Sequence, residues 1–186
     1  MEKKRILALD PGSRKIGYAF VDVEGKRSFY VESGVLDYSK MSHYFDRLPK
    51  ITRELTAMSE AFSPDEIALE ALIYAKSPSS LIKLAQARGA IIASFAHEKY
   101  RGKIFEYAPN LVKTAVTGHG HATKEGIQKA VSLILGKRDY ATSDESDALA
   151  IALCHILSPT PSRRRRSLKE IAGARGHDPI PRRRFG

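Results

Sequence analysis

Four acids stand out by where they fall in the chain. Asp10 closes the apolar run "RILALD" and is followed at once by Pro11 and Gly12. Glu70 closes a second short run, "PDEIALE". Asp144 and Asp147 lie three residues apart in "SDESDALAIALCHIL", so on a helix they project from one face. A carboxylate at the lip of a buried strand is held by the core rather than left to drift in a solvated loop. Two carboxylates on one helix face repel each other unless something positive lies between them. Brought together, four such groups supply hard oxygen ligands, which select Mg²⁺ or Mn²⁺ over metals that prefer sulfur. Two ions roughly 4 Å apart in such a site can activate a water and stabilise the leaving oxygen of an in-line phosphoryl displacement. Taken alone, Asp144, Glu145 and Asp147 also read as ordinary first-turn acids favoured by the helix dipole. Asp10 and Glu70, on strand ends, have no such explanation.

Positioning these acids requires a sheet and a helix packed on it. "RILALD" reads as a buried strand, and "GYAFVDVEG" and "RSFYVESGVLDY", broken by "EGKR", read as a hairpin. Tyr44, Leu48, Ile51, Leu55 and Met58 recur at helical spacing between His43 and Ala61. "PDEIALE" is the next strand. Ser77-Pro78 starts a helix expected to run to about Tyr100. "KIFEYAP" is a further strand stopped by Pro109, and "NLVKTAVTG" is a short helix ending at Gly118. Thr123 and Ser143 are expected to cap the last two helices, with Leu149, Leu153 and Ile156 facing the core from the final one. Strands first, then strands alternating with helices, predict an α/β fold: a mixed sheet with helices on both faces. Parallel neighbouring strands end together, so Asp10 and Glu70 are expected at one edge of that sheet.

The 186 residues suffice for one core, and 42% hydrophobic with 28% charged residues is the composition of a soluble globular chain. No stretch reaches the roughly 18 apolar residues of a membrane span, and "MEKKRILALD" lacks a secretory apolar region. A cytoplasmic location and no membrane partner are expected. Cys154 is the single cysteine, which excludes an intrachain disulfide, and its apolar setting reads as a buried side chain. His119 and His121 alternate in a Gly-rich loop without further ligands at zinc spacing. Of the net charge of +10, residues 158–186 carry +7, with 9 Lys and Arg against 2 Asp and Glu, which leaves +3 on residues 1–157. Two parts are therefore expected: a folded domain over 1–157 and a flexible Arg/Pro-rich tail over 158–186.

"LDPGSRKIGYA", "IALEALIYAKSPSSLIKLAQARG", "FEYAPNLVKTAVTGHGHATK" and "SDESDALAIALCH", in this order and spacing, resemble the RuvC Holliday junction resolvases over residues 5–157. The resemblance implies a ribonuclease-H-like fold in which Asp10, Glu70, Asp144 and Asp147 are the catalytic, metal-binding carboxylates. It implies Mg²⁺ as cofactor, with Mn²⁺ able to substitute and two ions per subunit. Lys113 and Lys124 match basic positions near the scissile phosphate, and Arg14, Ile73, Tyr74, Lys76 and Lys83 complete the expected DNA-contacting set. The helix beginning near Ser77 matches a homodimer interface. The implied partners are a four-way DNA junction and a branch-migration motor complex. Two departures stand out. Ala71 and Ile73 follow the strand-end acid where family members often carry Gln and an aromatic, so either Ile73 or Tyr74 is the candidate wedge between bases, and Ile73 reads equally as a core or dimer contact. The basic tail is longer than the family pattern. Rival functions are a related nuclease acting on RNA or damaged DNA and a junction-binding protein without turnover. A nucleotide-handling reading finds no "GxxxxGK[ST]" loop.

Overall fold

The computed structural model of the protein describes residues 3–72, 77–136 and 139–158, and its layering follows from the alternation in the first strand. In β1 (Lys3–Asp10), Ile6 and Ala8 enter one core while Leu7 and Leu9 enter another, because successive side chains of a strand point to opposite faces. Four more strands complete the sheet among the described residues: β2 (Lys15–Glu24), β3 (Arg27–Asp37), β4 (Glu66–Glu70) and β5 (Ile104–Tyr107). Their order is β3-β2-β1-β4-β5. β1 and β3 run antiparallel to β2, and β4 runs parallel to both β1 and β5.

Helices cover both faces, as the sequence predicts. α1 (Tyr44–Phe62) and α2 (Pro78–Ala93) place Ile51, Leu55, Ala87 and Ile91 over Leu7 and Leu9. α3 (Pro109–Thr117), α4 (Lys124–Leu135) and α5 (Ser143–Leu157) cover the face of Ile6 and Ala8. Among the described residues no helix is long and apolar enough to cross a membrane.

The structure corrects three local expectations. α2 stops at Ala93 instead of running to Tyr100, because Phe95 and Tyr100 turn inward to pack edge to face in the α1–α2 core. Thr142, not Ser143, is the residue before the last helix, and its hydroxyl makes no capping bond. Glu145 instead ties down the turn before the helix. Its carboxylate accepts from the Ala141 N–H at 2.7 Å and from the Ser33 hydroxyl at 2.6 Å, which fixes the turn onto β3. α5 is also more enclosed than a one-faced helix. Every residue from Ala148 to His155 is buried, since the small Ala148, Ala150 and Ala152 let it approach the sheet while α3 and α4 close over its outer side.

The far end of α5 is fixed by a buried polar chain. His155 Nε2 lies 2.7 Å from Glu66 Oε2, and its Nδ1 lies 2.6 Å from the Tyr107 hydroxyl. Burial lowers the His155 pKa even against the pull of Glu66. A neutral ring donating from Nε2–H to Glu66 and accepting at Nδ1 from the Tyr107 O–H satisfies all three groups. Burial alone would raise the Glu66 pKa, but the hydrogen bonds from Lys4 and His155 outweigh it and hold the carboxyl below its usual range. Because Glu66 begins β4, the helix runs antiparallel to that strand, and its N-terminal turn arrives where β1 and β4 end.

Candidate active site

Asp10 and Glu70 are set side by side by strand register. β1 and β4 pair in parallel from Ile6↔Glu66 to Leu9↔Leu69, so the two acids occupy the next rung. Both continue the face of Ala8 and Ala68, which are buried against α5. On the other flank, Asp10 pairs with Gly17 of β2. A Cβ at Gly17 would lie 2.0 Å from the carbonyl oxygen of Asp144, so a glycine is needed for α5 to start directly on the strand beside Asp10. At Gly12 a Cβ would meet the Lys15 carbonyl oxygen at 2.1 Å, which explains the Pro-Gly turn after Asp10: the chain must fold back tightly on itself there. Replacing Gly17 by Ala should lift the first turn of α5 and cost about 1–3 kcal/mol of stability. A urea melt tests this, and an unchanged midpoint would remove Gly17 from the account.

The four carboxylates share one electrostatic field. Burial, then the charges of Glu70, Asp147 and Asp144, raise the Asp10 pKa to about 7, with Lys124 opposing. Burial and Asp147 raise the Glu70 pKa against Lys113. Burial and Asp144 raise that of Asp147, against Lys124 and Lys113. Glu70, Asp144 and Asp147 thus make Asp10 harder to ionise, a strain that a bound cation relieves. Among the described residues no three His, Cys, Asp or Glu side chains converge tightly enough to enclose an ion, so the acids share a field rather than form a cage. The donor set is oxygen throughout and anionic, with no thiol or imidazole, and so fits a hard divalent cation. Asp10, Glu70, Asp144 and Asp147 are the residues that would hold one.

Of the expected basic residues, Lys113 on α3 and Lys124 at the start of α4 act on this field. Thr123 caps α4 as expected, its hydroxyl accepting from the Gly126 N–H at 3.2 Å. Arg14 is exposed in the turn between β1 and β2, and the Lys83 ammonium sits 5.9 Å from the centre of the Tyr44 ring. Neither is among the charges that shift the acids. Ile73, Tyr74 and Lys76 lie outside the described residues. His119 and His121 are exposed in their loop, and Cys154 is buried. Three residues that shape the site escape a sequence reading. Gly17 carries a usable signal, a glycine within a strand. Glu145 looks like one more solvated first-turn acid yet is buried, and Arg88, in "AQARG", looks like a surface cation yet is nearly fully buried.

Known proteins match this chain over most of its length. A sequence model of the family "Crossover junction endodeoxyribonuclease RuvC" matches residues 6–155. The crossover junction endodeoxyribonuclease RuvC of Trichlorobacter lovleyi is 40% identical over 154 residues, 83% of this chain and 85% of that protein. The protein of the same name from Thermotoga maritima is 37% identical over 171 residues, 91% and 99% of the two chains. Among solved structures, T. thermophilus RuvC in complex with a Holliday junction substrate superposes with a TM-score of 0.75 at 29% identity, covering 83% of this chain and 93% of that one. The yeast mitochondrial Holliday junction resolvase shares the fold, with a TM-score of 0.64 at 12% identity over 83% and 79% of the two chains.

Proposed function

The chain belongs to the RuvC family of crossover junction endodeoxyribonucleases, and from that premise we propose that it is a Mg²⁺-dependent nuclease that resolves four-way DNA junctions by nicking two symmetric strands. One observation carries the reading: the strand-end Asp10 lies within the field of Glu70, Asp144 and Asp147, with Lys113 and Lys124 opposing the repulsion. Asp10, Glu70, Asp144 and Asp147 are the proposed ligands and catalytic residues. A pair of bound Mg²⁺ ions, for which Mn²⁺ can substitute, would supply water activation and stabilisation of the leaving oxygen. The chain's own residues do the rest. The Asp10 carboxyl gives up its proton when a cation enters. Rigid β1, β4 and α5 fix the four acids before substrate arrives, so orientation is set in advance. The Lys113 and Lys124 ammonium groups attract and hold the phosphate against the acids' negative charge.

A junction has two-fold symmetry, and so would a homodimer with one site per subunit. α2 supports that assembly, since it exposes Leu81, Ile82 and Ile92, an apolar surface suited to a second copy. Arg14, Lys83 and the segment holding Ile73, Tyr74 and Lys76 are proposed to meet the junction arms and its centre. The Arg-rich tail from 158 to 186 is proposed as a separate segment adding affinity for phosphates of any sequence. Delivery of junctions by a branch-migration motor complex, in recombination and repair in the cytoplasm, belongs to the same reading.

The experiment is a cleavage panel with labelled four-way junction, linear duplex and RNA–DNA hybrid, with and without Mg²⁺, on protein sized by sedimentation. A dimer giving paired nicks in the junction alone, only with the metal, is expected. Preferential cutting of the hybrid would move the reading to an RNA-directed nuclease, and binding without cutting would make it a junction-binding protein.

A further inference from the structure

Arg88 is an arginine that the fold encloses, only 9% exposed. From α2 it reaches across to the sheet, where Nη1 donates to the backbone carbonyl of Glu70 at 2.6 Å and Nη2 pairs with Glu106 of β5. The paired register of β1 and β4 closes at Leu9↔Leu69. On the β5 side the next peptide is still tied, Ala71 N–H donating to the Tyr107 carbonyl at 2.8 Å. The peptide after Glu70 is therefore held twice, by β5 through its N–H and by a side chain from another element through its carbonyl oxygen. A charge-assisted bond from a planar guanidinium is strong and directional, and the fork can serve two acceptors at once.

α2 packs more extensively on α1 than on β4, and a cavity of about 110 Å³ opens among Pro11, Glu70, Leu84, Arg88 and Pro109. Ala87 and Ile91 of α2 share a core with Leu69, and beyond Leu69 the guanidinium makes the contact of α2 with the Glu70 peptide. We propose that Arg88 is a positioning residue for the Glu70 carboxylate, coupling the seat of α2, with its exposed apolar surface, to the metal-binding acids. This rests on the reading of those acids as a metal site. Displacing α2 or removing Arg88 leaves this peptide held from the β5 side alone, so that the Glu70 carboxylate is less well placed for the cation that Asp10, Asp144 and Asp147 help to hold.

Mg²⁺ binding by the full chain without nucleic acid, followed by calorimetry and by the metal-induced rise in Tm, tests this without relying on cleavage. Arg88→Met should raise the half-saturating Mg²⁺ concentration about 10- to 100-fold, the range for groups that orient a metal ligand, while junction binding in metal-free buffer is unchanged. Glu106→Gln, which breaks the ion pair but keeps the bond to Glu70, should bind Mg²⁺ as the wild type does. If Arg88→Met does not fold, Arg88→Lys takes its place, since a single ammonium on a different stem cannot serve both acceptors with the same geometry. Wild-type Mg²⁺ binding by the folded Arg88 variant overturns the proposal, and so does equal weakening by Glu106→Gln, which would place the effect in the ion pair. Failure of the wild-type protein itself to bind Mg²⁺ would instead overturn the reading of the four acids.

Discussion

Changing any one of Asp10, Glu70, Asp144 or Asp147 to its amide should lower junction cleavage by a factor on the order of 10³ or more, about 4 kcal/mol of barrier, and leave junction affinity intact or slightly raised. The amide keeps the shape, so neither the β1–β4 register nor the seat of α5 on Gly17 changes. What is lost is one unit of negative charge from a group of four, and with it a strong cation ligand. Affinity follows a different account, because phosphate contacts from Lys and Arg dominate binding to nucleic acid, and removing a carboxylate beside them relieves repulsion. Single-turnover cleavage at saturating protein, paired with gel-shift titration in metal-free buffer, separates the two quantities. Cleavage at the wild-type rate in any one variant would remove that residue from the site.

The second large effect concerns stability without metal. The Asp10 pKa lies at about 7 in the folded chain against an ordinary 3.8, so the folded state binds a proton more tightly than the unfolded state does. The sign follows from linkage: Asp10 favours folding fully below about pH 4, and that contribution is lost as pH rises through about 7. In chelator, Asp10→Asn should therefore match the wild type near pH 4 and exceed it increasingly up to about pH 7, reaching on the order of 3 kcal/mol. Saturating Mg²⁺ should reverse the order, since binding to the folded state stabilises the wild type by mass action while the variant lacks the charge that attracts the ion. Urea melts at several pH values, with chelator or Mg²⁺, give the comparison. A variant no more stable than the wild type at pH 8 in chelator would mean that Asp10 carries no such burden.

Much of the site's placement is legible in the sequence because it rests on strand periodicity. Ile6, Ala8 and Asp10 share a face by alternation, as do Ala68 and Glu70, and two short apolar runs each closing on an acid announce a common sheet edge. The helix dyad Asp144 and Asp147 follows from spacing alone. What the sequence leaves hidden depends on partners distant along the chain. Glu145 differs from its acidic neighbours only because Ser33 and the Ala141 N–H stand opposite it. His155 is readable only once Glu66 and Tyr107 surround it. Arg88 looks solvated until β4 and β5 present it with acceptors. The end of α2 was hidden for a related reason, since helix propensity continues past Ala93 and the packing of Phe95 and Tyr100 overrides it.

α5 carries acids at one end and is bolted to the sheet at the other, with Asp144 and His155 separated by roughly 16 Å of helix. The helix works as a gauge rod: the dimension it sets at Asp144 and Asp147 is referenced to a datum at Glu66, at the other end of β4 from Glu70. Specification of the site is thus distributed, and part of its blueprint is written where no substrate would touch. A designer wishing to retune the spacing of these acids could leave them untouched and adjust the anchor.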